Sequence, residues 1–134
     1  MALIEDDAGA IPTAVEDHGA SRILVVGDNA HFADIRSHVN DLITEAWMQH
    51  VSTIAIPVNC LPEEFFQLRS GVAVAMSQKL VNYRITVAFV GDIADKVLDS
   101  QPLGDFIRDC NRGRWIWFVA DMRELTGRLL SRNC

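Results

Sequence analysis

Three aspartates occupy equivalent places along the chain. Asp28, Asp92 and Asp121 each follow an apolar, β-branched run by one or two residues, and Asn59-Cys60 follows a fourth such run. In parallel α/β sheets the carboxyl ends of the strands line the crevice where ligands bind, so Asp28 and Asp92, with Asn111 and Arg112, are one candidate small-anion or nucleotide site. The structural reading of the same carboxylates is that Asp28 and Asp121 cap helices and Asp92 caps a turn. A second group is cationic: Arg108, Arg112 and Arg114 surround Asn111 and Gly113. Three guanidiniums can take a carboxylate or phosphate in forked geometry, or they can hydrogen-bond the free carbonyls of a helix end. Arg69 and Ser70 form a third group, interrupting an apolar stretch. Ser70 is a candidate phosphorylation site, because a phosphate there would add up to two negative charges. A serine hydroxyl on a helix surface bonded to its own backbone is the alternative.

Other chemistries are poorly served. His18, His31, His38 and His50 are scattered, and His31 with His38, seven residues apart, lack a third ligand nearby, so no metal site is expected. No Ser-His-Asp set, nucleophile elbow, phosphate loop or dinucleotide glycine motif is present. A phosphoacceptor metal site would want a lysine after the later strands, and none follows 85–90 or 115–119 directly. Cys110 falls on the apolar face of a predicted helix and reads as core filler. No cofactor is implied.

A length of 134 residues with 49% apolar content supports one domain with a core of its own. The net charge is −6, but Glu5, Asp6, Asp7, Glu16 and Asp17 precede every base. Setting these five aside leaves 13 acids against 12 bases from Gly19 onward, so neither nucleic acid nor an anionic membrane is an expected partner. Three cysteines without C-x-x-C spacing point to a reducing compartment, the cytoplasm. No apolar run approaches the roughly 18 residues needed to span a bilayer.

The elements that must position these groups follow from periodicity. Residues 1–10 read as a flexible acidic leader and 11–134 as a single α/β domain. Ile11 to Val15 and Ile23 to Val26 predict a hairpin turning through Glu16-Asp17-His18-Gly19. Ile35, Val39, Leu42, Ile43, Ala46 and Trp47 fall at helical steps, with Asp28 or Asn29 at the entrance. Thr53 to Val58 predicts a buried strand, with Pro57 marking its end or a bulge. From Pro62 a long helix is expected, its stripe formed by Phe65, Leu68, Val72, Met76 and Leu80, with Glu63 and Glu64 at its positive end. Asn82-Tyr83-Arg84 leads into a strand at 85–90. A loop over Gly91-Asp92 reaches Ser100-Gln101-Pro102, where a helix starts with Leu103, Phe106, Ile107 and Cys110 inward and Gly113 as its left-handed stop. Strand 115–119 follows, then a helix opened by the capping box Asp121 and Glu124. The order β-β-α-β-α-β-α-β-α predicts an open, mostly parallel sheet with right-handed crossovers.

Several of these stretches are distinctive words: Phe65-Phe66-Gln67-Leu68-Arg69-Ser70-Gly71, Asn82-Tyr83-Arg84, Gly91-Asp92, and Asn111-Arg112-Gly113-Arg114 ahead of Trp115-Ile116-Trp117-Phe118-Val119. From Arg22 to Leu130 the chain resembles the bacterial family named domain of unknown function 4180, which carries the same words in the same order. Ala73-Val74-Ala75 departs from the small-Gly-Glu of that pattern, and Asp109-Cys110 stands where Glu-Ser is usual. A function needing that Glu would therefore be absent here. The hairpin followed by α-β repeats also resembles the STAS fold of anti-anti-sigma factors. That resemblance implies a regulatory serine or threonine just before a glycine at the start of the second helix, near Ser70-Gly71. The expectation is a small non-enzymatic α/β module that binds another protein or itself as a homodimer, with Arg69, Ser70, Asp92, Arg108, Asn111 and Arg112 as candidate contact residues.

Overall fold

The structure, a computed structural model, describes residues 13–18, 21–27 and 35–133. The leader, Ile11, Asp28, His31 and Cys134 lie outside the described residues. Five strands form one sheet in the order β1-β2-β3-β4-β5: Thr13–His18, Ser21–Val26, Thr53–Pro57, Thr86–Val90 and Ile116–Val119. β1 and β2 are antiparallel, and every later neighbour is parallel. The α-helices are α1 (Ile35–Met48), α2 (Val72–Asn82), the short α3 (Ala94–Leu98), α4 (Gln101–Arg112) and α5 (Met122–Asn133). The expected open, mostly parallel sheet with its opening hairpin is the observed architecture. Among the described residues no helix is long and apolar enough to cross a membrane.

Sequential strand order has a direct consequence. Right-handed crossovers between successive parallel neighbours all return over the same face. α1, α2 and α4 accordingly share one core with Leu24, Ile54, Ile56, Val87, Phe89 and Phe118. α5 follows the last strand, is no crossover, and covers the other face with Leu125 and Leu129 on Ile23, Ala55, Ala88, Trp117 and Val119. β3 and β4 are buried on both faces from Thr53 to Ile56 and Thr86 to Phe89, as central parallel strands must be.

The hairpin differs in register from the expectation. Glu16, Asp17 and His18 are strand residues paired with Ile23, Arg22 and Ser21, so the turn comes later than predicted. The Asp17 carboxylate lies 3.4 Å from Arg22 Nε, and His18 lies 2.9 Å from Glu16. Paired in this way, the charged residues tolerate an edge strand.

The long helix predicted from Pro62 is instead broken. Glu63–Phe66 and Leu68–Ser70 are separate 3-10 turns, and α2 begins only at Val72. Gln67 between the turns is extended, and Gly71 sits at φ 79°. Two effects oppose a continuous helix there. Ser70 and Gly71 are weak helix formers, and the serine hydroxyl offers competing local bonds. Phe65 and Phe66, about 100° apart on a regular helix, are both buried. Phe65 is central to the core, its ring 4.9 Å from Phe89, which lies 4.9 Å from Phe118.

Helices α1 and α2 both end in a Schellman turn built without glycine. Ile85 N–H donates to Leu80 O and Arg84 N–H to Val81 O, with Arg84 at φ 59°. Val51 and His50 repeat the pattern on Ala46 and Trp47, with His50 at φ 57°. Asn82-Tyr83-Arg84 is therefore a helix stop, and Tyr83 meets the exposed Trp47 edge-on at 6.0 Å. Gly113 is a second correction: its φ of −89° is extended and not left-handed, because α4 stops by a Gly113 N–H bond to Cys110 O.

Candidate functional site

The loops after β3 and β4 meet above the carboxyl ends of those strands. Gly91 makes their approach possible, since at φ 142° it adopts a conformation that essentially only glycine reaches. A Cβ there would stand 2.5 Å from Val58 Cγ2. Asp92 then accepts the Ala94 N–H at 2.9 Å and starts α3, the turn-capping role. α3 presents Lys96 to Glu63, its Nζ 2.6 and 2.8 Å from the two carboxylate oxygens. The same ammonium lies 5.3 Å from the Phe66 ring centroid, a cation–π distance. An ion pair this exposed contributes about 0–1 kcal/mol, so its service is to join the two loops.

Beside that pair is a cleft of about 730 Å³, walled by Phe66, Gln67 and Arg69 on one side and by Lys96, Asp99 and Ser100 on the other. Ser70 stands next to Arg69, exposed, at the break that precedes α2. Its hydroxyl donates to Glu64 O at 2.7 Å and accepts from Val72 N–H at 3.2 Å. Ser70 is thus no helix-face residue but the pin between a 3-10 turn and the amino end of α2. Arg69 makes no hydrogen bond or ion pair with another described residue.

The Asn-Arg-Gly-Arg word lies elsewhere. α4 opens on the Ser100 cap, whose Oγ accepts Leu103 N–H, and its last turn lies beside β5. There the Asn111 side chain takes the position of a neighbouring strand. Its Oδ1 accepts Phe118 N–H at 2.7 Å and its Nδ2 donates to Phe118 O at 3.3 Å. β5 is the sheet edge, so Asn111 satisfies backbone groups that an edge otherwise leaves open. Gly113 O accepts the Trp117 indole N–H at 2.9 Å, and Asn111 O accepts from Arg128 Nη1 at 3.1 Å. Arg128 also lies over the Trp117 ring, 5.3 Å from its centroid. Arg108 pairs with Asp105 at 3.1 Å, one turn back on its own helix.

The six residues singled out from the sequence are therefore dispersed. Arg69, Ser70 and Asp92 belong to the loops after β3 and β4. Asn111 and Arg112 lie at the carboxyl end of α4, where Asn111 bonds Phe118 on the outer edge of β5, and Arg108 pairs with Asp105 along α4. The strand-end set of Asp28, Asp92, Asn111 and Arg112 is not assembled: Asp28 is outside the described residues, Asp92 is taken up by the Ala94 N–H, and Asn111 by the backbone of Phe118 on the outer edge of β5. Asp121 accepts Glu124 N–H at 2.9 Å, as the capping box requires, although Glu124 reaches back to Ala120 N–H. Sequence reasoning missed Lys96, Glu63 and Asp99, because a pair 33 residues apart leaves no local signal.

Cys60 is buried and donates to Gly27 O at 3.3 Å. Burial, with the neighbouring Asp109 carboxylate second, pushes the Cys110 thiol up to about 11, which opposes nucleophilic use near neutrality. Among the described residues no group of three His, Cys, Asp or Glu side chains is placed to hold a metal ion.

No curated protein and no solved structure matches the chain. The family model described as Domain of unknown function (DUF4180) matches residues 18–129, a span that holds every distinctive word placed above. The chain belongs to the DUF4180 family.

Proposed function

We propose that this protein is a non-enzymatic interaction module, STAS-like in topology, that docks a partner protein over the cleft lined by Arg69 and Lys96 and is regulated at the neighbouring Ser70. The observation that carries the reading is the position of the Ser70 hydroxyl: exposed, one residue before the left-handed Gly71, at the amino end of the second long helix. Three 3-10 turns, Val58–Cys60, Glu63–Phe66 and Leu68–Ser70, account for its distance from the end of β3. The aromatic and polar words support the reading through their use in packing, capping and edge closure, which leaves Arg69 and Ser70 as the conspicuous exposed pair.

Phosphorylation would replace the hydroxyl proton that Ser70 gives to Glu64 O. That releases the Glu63–Phe66 turn by one hydrogen bond, about 1 kcal/mol, while the helix amino end favours the new charge. The turn carries the Glu63 and Phe66 contacts to Lys96, so one charge alters both walls of the cleft. The partner is another protein or a second copy of this chain, and neither nucleic acid nor a membrane surface is invoked. A cytoplasmic address accords with Cys60 acting as a thiol donor.

Light scattering and affinity capture from cytosol test this with Arg69→Glu, Ser70→Asp and Ser70→Ala. The wild type should retain a defined partner or a dimer that Arg69→Glu and Ser70→Asp lose, and Ser70→Ala, which drops the bond to Glu64 O without adding charge, should weaken it only in part, all with unchanged circular dichroism. A monomer that captures the same proteins in all four forms would remove the proposal.

A further inference from the structure

We propose that the exposed aromatic pair at the ends of α1 and α2 is a second docking surface, and that its partner is an acidic segment of another protein carrying an apolar anchor residue. The surface lies at the amino ends of β3 and β4, since His50 and Arg84 stand shortly before those strands. The cleft lined by Arg69 and Lys96 is built from the loops that follow the same two strands, so the two surfaces occupy opposite strand ends. Trp47 is 63% exposed and Tyr83 44%, although their rings meet edge-on at 6.0 Å. Met48, next to Trp47 at the end of α1, is 68% exposed. The ring contact restricts both side chains before any partner arrives, which lowers the ordering cost of binding. Trp, Tyr and Arg are the residue types that anchor protein interfaces.

The helix stops do not demand the side chains that flank this pair. A left-handed Schellman position is free of strain only for glycine, yet His50 and Arg84 hold the two positions at φ 57° and 59°. Nothing within the described fold offsets that strain. Both side chains are exposed, and neither makes a hydrogen bond or ion pair with another described residue. Lys79, one turn before Tyr83 on α2, is likewise without a described partner. Glu45, the last acid of α1, is engaged by Gln49 Nε2 at 2.9 Å.

Charge identifies the occupant. Arg84 and Lys79, without a described partner on either side of Tyr83, complement acidic groups set around an apolar side chain that packs on the rings. A second copy of the chain, docked about a twofold axis through this patch, would bring like charges together. A nucleic acid or an anionic bilayer would extend past the patch and meet the remainder of a chain of net charge −6. A short acidic segment meets only the local cations.

A displayed peptide library selected on the wild type, with Trp47→Ala as the counter-selection, tests the surface. Recovered peptides should combine Asp or Glu with a Phe, Trp, Leu or Ile anchor, and the tightest of them should shift the Trp47 indole N–H in NMR spectra. Trp47→Ala should weaken that peptide about thirtyfold or more, the loss expected of an interface anchor. Arg84→Gly should weaken it about threefold to fivefold, the scale of an exposed ion pair, and reduce its salt dependence. The same variant should keep or raise the melting temperature, which separates a lost contact from a lost fold. Arg69→Glu, at the other strand ends, should bind the peptide as the wild type does. The proposal is overturned if no peptide is enriched, if the enriched peptides are basic or uncharged, if Arg84→Gly binds as tightly as the wild type, or if Arg69→Glu abolishes binding. An oligonucleotide or an anionic vesicle that gives the same indole shift, or a wild-type dimer in light scattering that Trp47→Ala converts to monomer, would equally overturn it.

Discussion

Asn111→Ala should destabilise the fold by about 1–2 kcal/mol, since it deletes two partly buried hydrogen bonds at about 1 kcal/mol each and water can replace part of each. Both bonds go to one residue, Phe118, on the sheet edge. For a chain of this length 1 kcal/mol moves the melting temperature by about 3–4 °C. Urea unfolding followed by circular dichroism measures the loss, and hydrogen exchange should show the Phe118 amide losing protection first. Asn111→Asp sharpens the test. The introduced carboxylate keeps an acceptor for Phe118 N–H but turns a second oxygen toward Phe118 O in place of the amide donor at 3.3 Å. Only the protonated acid can restore that donor, so the pKa of the introduced carboxyl group should rise on folding above the usual aspartate value of about 3.9. A raised acid pKa means that the native state holds the proton more tightly. The deficit of Asn111→Asp relative to wild type is then full above the folded pKa and vanishes as pH falls below the unfolded one. The Asn111→Ala deficit has no such dependence. Equal pH profiles for the two variants, or an alanine cost under about 0.5 kcal/mol, would refute the edge-clamp reasoning.

Gly91→Ala should cost about 2–4 kcal/mol, combining a conformation reserved for glycine with a forced displacement of Val58. Gly71→Ala, left-handed but with nothing near its Cβ, should cost only about 1–2 kcal/mol in the same urea titrations, and equal losses would contradict the account of the loop crossing. Arg84→Gly should stabilise by about 0.5–1 kcal/mol, because left-handed strain at the α2 stop is relieved and only partly offset by unfolded-state entropy; a lower melting temperature would count against it. Cys110 alkylation in the native state should be slow at pH 8 and still be accelerating as pH approaches about 11, where a rate already level above pH 9 would show an ordinary thiol. Because its folded pKa lies above its unfolded one, Cys110 also removes stability as pH rises from about 9 toward 11, relative to Cys110→Ser.

Much of the architecture was legible in the order of residues. Buried runs such as Thr53–Ile56 and Thr86–Phe89, and the helical steps of Val39, Leu42, Ile43 and Ala46, are local patterns that state their own element and face. Sequential strands joined by right-handed crossovers then leave little choice of sheet, and Ser100 and Asp121 could be recognised as caps because their partners lie three residues on. The fate of the conspicuous words was decided only in three dimensions. Whether Phe65 to Leu80 ran as one helix depended on the need to bury two successive phenylalanines, Phe65 against Phe89 and Phe66 beside Phe65. Asn111 became a surrogate strand because β5 proved to be an edge, and Gly91 was required because Val58 comes from another loop. Lys96 meets Glu63 across 33 residues, and Arg128 reaches Asn111 O only because α5 folds back over the sheet face opposite α4. Periodicity and capping are encoded within one or two helical turns. Edge position, close approach and charge convergence depend on segments that share no local sequence, so only the packed chain brings them into existence.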